Sequence, residues 1–397
     1  MDKITPISDV VWFQEGPGVR NTQYTTEGVK LLNVANLVDG EVDLSNTNRY
    51  ISEEEAYGKY KHFLVDEGDL IIASSGIKVD YFDKKMGFIK KEHLPLCMNT
   101  STIRFKTLNA DVLDIRYFMY FLKSESFKQQ LAVQITGSAQ LNFGPSHLKK
   151  MSVKMVPMAQ QKEIVHNLSE IDRLISYRQQ QLIKLDELVK SRFIEMFGDP
   201  ETNPMGWVKE TLCNHLNVVG GYAFKSELFA EEGIPVLRIG NINAGYFQPI
   251  NMVYWKQDDS LSRYMMYAGD LVMSLTGTVG KDDYGNVCIL GNDYDCYYLN
   301  QRNAKLELFN SLDKCYLSQI LKFPAVKKKL TGISRGVRQA NISNKDILNL
   351  EIPIPPIDLQ NEFASFVEQT DKLKFEVKEA LEKLETLKKS LMQQYFG

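Results

Sequence analysis

Two stretches, Pro157 to Gly198 and Pro355 to Gly397, constrain this chain more than anything else in it, because the second nearly rewrites the first. At an offset of 199 residues Pro157 meets Pro356, Gln161 meets Gln360 and Glu163 meets Glu362. Asp172 then meets Asp371, Leu185 meets Leu384, Ser191 meets Ser390, and Phe197-Gly198 meets Phe396-Gly397. In a chain of 397 residues, that offset means the whole was built twice.

Each stretch predicts one long helix of about 38 residues, ~57 Å in length. Proline opens it, no Gly or Pro interrupts it, and a glycine stands where the C-terminal cap belongs. Ile164, Leu168, Ile171, Ile175, Leu182, Leu185, Val189 and Met196 fall on alternating three- and four-residue steps, broken at Arg178 and Arg192. In the second copy Phe363, Val367, Val377, Leu381, Leu384 and Leu391 hold the corresponding steps, with Tyr395 beyond them and Thr370, Lys374 and Lys388 as breaks. So narrow an apolar stripe, sustained over about five heptads, needs a second helix of its kind beside it, and the chain supplies one.

Around the helices the chain repeats as well. Residues 1–156 form a first globular segment of mixed helix and strand, 157–198 the first helix, 199–354 a linker and second segment, and 355–397 the second helix. GVKLLNVANL at Gly28 returns as GIPVLRIGNI at Gly233. Gly68-Asp69-Leu70 returns as Gly269-Asp270-Leu271, and QLNF at Gln140 as QANI at Gln339. A period this long is a whole domain plus helix, which excludes a solenoid. The fold class expected is α+β, as two tandem mixed domains each followed by a long helix.

Lys and Arg number 47 against 50 Asp and Glu, a formal net of −3, so bulk charge does not make this a polyanion binder. No apolar run reaches 18 residues and the N-terminus lacks a signal-peptide layout, which points to the cytoplasm without a membrane partner. Five cysteines without C-x-x-C spacing read as reduced, mostly buried thiols, and five scattered histidines suggest no metal site.

Catalytic signatures are missing. Gly277 to Lys281 resembles a phosphate loop, but Leu275 stands where its first glycine belongs and Asp282 follows the lysine where Ser or Thr is required. There is no H-E-x-x-H, and the Asn/Asp-Pro-Pro-aromatic signature of adenine methyltransferases is absent.

What recurs instead is a pair of polar loops in each half. ASSGIKVDYFDKK, from Ala73, is answered by SLTGTVGKDDYG, from Ser274. ITGSAQLN, from Ile135, is answered by LTGISRGVRQAN, from Leu330 and preceded by Lys327-Lys328-Lys329. Gln and Asn can read adenine edges, Arg guanine, and Lys mainly holds phosphates. The candidate DNA contacts in the first half are Arg20, Ser74, Ser75, Lys78, Lys84, Ser138, Gln140 and Asn142. In the second half they are Lys225, Thr276, Thr278, Lys281, Arg335, Arg338, Gln339 and Asn341.

Over essentially its whole length the chain resembles the specificity subunit of type I restriction-modification enzymes, usually called HsdS. The most specific element is the proline segment entering each long helix, KMVPMAQQKEIV and IPIPPIDLQNEF, the first with Val-Pro where the second has Ile-Pro-Ile-Pro-Pro. The resemblance implies two target-recognition domains, each reading half of an interrupted site in double-stranded DNA. It implies an antiparallel coiled coil that spaces them, related by an internal pseudo-twofold, and docks two methyltransferase subunits. It implies no catalysis in this chain: S-adenosylmethionine, ATP and Mg serve partner subunits, with restriction subunits in the full complex. A coiled-coil scaffold that binds proteins without DNA specificity is the rival reading, since it needs the same seam but no recurring polar loops.

Overall fold

The computed structural model describes residues 3–77, 79–134, 141–332 and 339–397. They gather into two units, residues 1–178 with 380–397 and residues 179–379, so that each unit holds half of each long helix.

In the first unit Val11–Glu15, Thr102–Thr107, Leu70–Ala73 and Met86–Phe88 form an antiparallel sheet in that order. In the second unit Leu216–Gly220, Asn303–Leu308, Leu271–Ser274 and Val287–Ile289 repeat it. Beside the first sheet Val29–Leu32 pairs in parallel with Leu96–Met98 and antiparallel with Tyr50–Ile51. The second unit repeats that with Ile234–Leu237, Tyr297–Leu299 and Tyr254–Trp255, and adds Met265–Met266 at the edge.

The glycines leading these strands are forced. Gly28 (φ +117°) and Gly233 (φ +127°) sit where a Cβ would fall 2.3 Å from the Ile51 carbonyl oxygen and 2.6 Å from that of Trp255.

Two short helices follow in the first unit, Ile115–Lys123 and Glu125–Gln134. Ser124 separates them: its hydroxyl donates to the Phe121 carbonyl and accepts the Phe127 N–H. Lys314–Leu321 and Pro324–Thr331 are their counterparts, and Asp114 and Asp313 cap the leading helix of each pair. Phe118, Phe121 and Phe127 fill the first core, and Tyr316, Phe193 and Phe363 the second.

Both long helices run 40 residues, Met158–Phe197 and Ile357–Phe396, and end at glycine as the sequence predicts. The shorter proline motif of the first makes no difference, since Gln161 bonds back to the Pro157 carbonyl as Gln360 does to that of Pro356. Gly198 takes φ +79°, and the Trp207 indole donates to the Phe197 carbonyl, so the linker caps the helix it leaves.

Within each unit the helix halves run antiparallel. In the first, Asp172 pairs with Lys388 at 2.7 Å and the Asn167 amide donates to the Tyr395 hydroxyl at 3.2 Å. In the second, Asp186 pairs with Lys374 at 2.7 Å and Glu362 with Arg192 at 3.0 Å. The breaks in the seam at Arg192, Lys374 and Lys388 are therefore cross-helix ion pairs, which fix register. None of the fourteen seam residues from Ile164 to Leu391 is exposed, but those in the middle, such as Ile175, Leu182, Leu185 and Leu384, are only half-buried.

The cysteines differ from expectation. Only Cys97 and Cys288 are buried, their thiols pushed up to about 12 by burial, while Cys213 is exposed. Among the described residues no helix is long and apolar enough to cross a membrane, and no cluster of His, Cys, Asp or Glu could hold a metal.

Candidate nucleic-acid interface

The two polar loops of each half, some sixty residues apart in sequence, are hydrogen-bonded to one another. In the second unit Thr276–Thr278 pairs antiparallel with Gln339–Asn341, setting Thr276 opposite Asn341 and Thr278 opposite Gln339. In the first unit Ser75–Ile77 pairs with Leu141–Asn142, setting Asn142 opposite Ser75. The result is a short ribbon on each unit. Phe143 and Ile342, next after it, bond to the carbonyls of Ser74 and Leu275.

The candidates do not all reach solvent. Ser74 is buried, with 1% of its surface accessible, at the place held in the second unit by Leu275, so it supports the ribbon and presents nothing to a ligand. Thr276 is buried too, and its hydroxyl donates to the Asn341 side chain at 2.9 Å, holding that amide in place. The Ser75 hydroxyl is half-buried and donates to Ser101 at 2.6 Å. Lys84 is exposed but faces Asp39 at 3.5 Å.

Asn142, Asn341, Thr278 and Lys281 are exposed. Thr278 and Lys281 open and close a tight turn at the ribbon's end, bonded from the Lys281 N–H to the Thr278 carbonyl with Gly280 at φ +78°. Asp283 accepts the Thr278 N–H at 2.8 Å, and that bond holds its carboxyl below the usual range. Arg20 and Lys225 occupy equivalent places, each exposed at the start of a three-residue 3-10 turn. Lys78, Ser138, Gln140, Arg335 and Arg338 lie outside the described residues, and of Gln339 only the backbone is described.

Sequence reasoning missed the residues that anchor these ribbons. Phe82 is fully buried and stacks on Phe127 at 5.7 Å, and the buried Tyr284 donates its hydroxyl to the Thr331 carbonyl at 2.7 Å. Phe82 belongs to the YFDKK end of its loop and Tyr284 to DDYG, and only an aromatic in an otherwise polar loop marked them.

The fold is a duplicated α+β arrangement with one polar ribbon per unit, so the chain carries two similar surfaces of one kind. Residues 20–187 and 204–388 each match the family described as Type I restriction modification DNA specificity domain, and the chain belongs to that family. It is therefore a DNA sequence-specificity protein of type I restriction-modification systems. The type I restriction enzyme MjaVIII specificity subunit of Methanocaldococcus jannaschii is 25% identical over 84% of this chain and 79% of its own. The fold is shared with the S subunit of a type I system from M. genitalium, at 16% identity and a TM-score of 0.57, covering 100% of this chain and 96% of that one. A chain from a structural study of complex assembly and conformational transition in the type I R-M system matches with a TM-score of 0.57 at 15% identity, over 99% and 97% of the two chains.

Proposed function

We propose that each unit reads one half of an interrupted site in double-stranded DNA, with its ribbon and adjoining turns against the bases. The paired helices set the gap between the halves. The observation that carries this reading is the ribbon itself: in both units the chain brings the two variable polar loops together on one shared framework. Equivalent scaffolds with different loops suit two specificities of one kind. A protein-binding scaffold would need the helices but not the ribbons.

The same helices offer two matching places for partners. Leu174 and Leu387 are level in the first unit and are 41% and 48% exposed; Leu188 and Leu373 are level in the second, at 47% and 50%. Leu373 and Leu387 are the 199-residue counterparts of Leu174 and Leu188, so each unit presents the same apolar pair. That fits two copies of one partner, the methyltransferase subunit. Methyl transfer from S-adenosylmethionine, and restriction driven by ATP with Mg, then belong to partner subunits in a cytoplasmic complex.

Selection from a randomised duplex library, with the methyltransferase subunit present, tests the reading. Two short blocks around a fixed unspecified gap are expected. A single continuous block, or none, would overturn it.

A further inference from the structure

Each unit ties its reading loops together with an ion pair of the same kind. Lys128 and Lys327 are counterparts at 199 residues, and each meets an aspartate of the facing loop. The strands flanking those loops align at 201, so Asp83 and Asp282 reach the lysines from places two residues apart. Lys128 meets Asp83 at 3.2 Å, and Lys327 meets Asp282 while donating to the Asn286 side chain at 2.6 Å.

Both lysines sit on the short helix that precedes the second strand of the ribbon, and both aspartates sit in the loop that follows the first strand. Each pair thus ties together the two segments that make the ribbon, beside its buried aromatic anchor, Phe82 or Tyr284.

The lysine side chains are only 16% and 11% exposed, unlike the neighbouring Lys328 and Lys329, which face solvent. The partner carboxylates are more open, Asp83 at 40% and Asp282 at 84%, and Lys128 also lies 3.4 Å from Glu125 on its own helix. An ammonium shielded and already paired is still poorly placed to hold a phosphate.

We propose that Lys128–Asp83 and Lys327–Asp282 are latches that hold the two ribbons in reading geometry, so these four residues set half-site specificity without touching DNA. This rests on the ribbons being the reading surfaces. A displaced ribbon would lose directional base contacts while phosphate contacts made elsewhere survived, so a broken latch should broaden sequence preference more than it weakens binding.

The test uses the full chain with its methyltransferase subunit, in library selection and in binding at several salt concentrations. Lys327→Met and Asp282→Asn should each lower discrimination within one block by about tenfold or more, the share of one bidentate base contact. The other block and the thermal melting of the protein should stay as they were. Lys327→Arg should retain specificity, and Lys128→Met should broaden the opposite block.

If Lys327→Met instead weakens all duplexes equally and lowers the salt slope by about one, with Asp282→Asn harmless, the lysine is a phosphate contact and the latch is wrong. Asn341→Ala separates the two levels. Should it broaden one block while Lys327→Met changes nothing, the ribbon reads DNA without a latch. Should neither change any block, the ribbons do not read DNA and both ideas fall.

Discussion

The Gln161 side-chain carbonyl accepts the backbone N–H of Asp114 at 2.9 Å, while its amide donates to the carbonyls of Val112 and Val156. Gln360 does the same with Asp313, Ser311 and Pro355, and both glutamines are fully buried. One side chain therefore fixes the start of a long helix to the cap of the leading domain helix, once in each unit. Gln161→Ala leaves a buried donor and two acceptors short of partners, and should cost about 2–4 kcal/mol. Chemical denaturation of this variant and of Gln360→Ala should show comparable losses; wild-type stability in either would show that its bonds do not hold the joint.

The seam is not uniform along its length. Phe193 is fully buried against Phe197, Tyr316, Phe323 and Phe363, whereas Leu185 is half-buried between helices. Phe193→Ala should cost about 3–5 kcal/mol and Leu185→Ala less, about 1–2 kcal/mol, because the leucine gives up less buried surface. Denaturant midpoints should rank them in that order. The reverse order would mean that the helix pair, not the domain core, carries the stability of the second unit.

Much of this fold was legible because duplication writes the same constraint twice. The long helices and the fourteen seam positions are read from periodicity and the glycine caps from residue type, and none of the fourteen is exposed. Phe193 escaped because it lies one residue beyond the Arg192 step, where the helix pair merges with the core of the second unit. The ribbons escaped because strand pairing across sixty residues leaves no local signal, so Ser74 reads as a polar loop residue although it is buried. The latches escaped likewise: nothing near Lys327 in sequence names a carboxylate 45 residues earlier.

Asn341 is the exposed ribbon residue whose orientation is most firmly set, since Thr276 holds its side-chain oxygen. Asn341→Ala should relax one block of the selected site by about 1–3 kcal/mol per lost bidentate contact and leave the other unchanged. Equal relaxation of both blocks, read from competition binding with single-base variants, would count against independent reading by the two units.

The matching leucine pairs predict separable docking. Leu373→Glu places a charge in the exposed apolar pair of the second unit and should remove one methyltransferase subunit from the complex. Leu174→Glu should remove the other, and the double variant both. Sedimentation of the assembled complex reads this directly, and undiminished assembly in the double variant would place docking elsewhere.

The helix pair as a spacer makes a prediction with geometry in it. Deleting seven residues from the middle of each helix keeps the seam in phase, because seven residues are close to two full turns. It removes about 10 Å of helix, which corresponds to about three base pairs of DNA. Library selection with this variant should therefore return the same two blocks around a gap shorter by about three. Affinity should fall as well, since three base pairs turn the second block around the duplex by about a quarter of a turn. If the gap is unchanged, the helices do not measure it, and the spacing must be set where the units meet DNA.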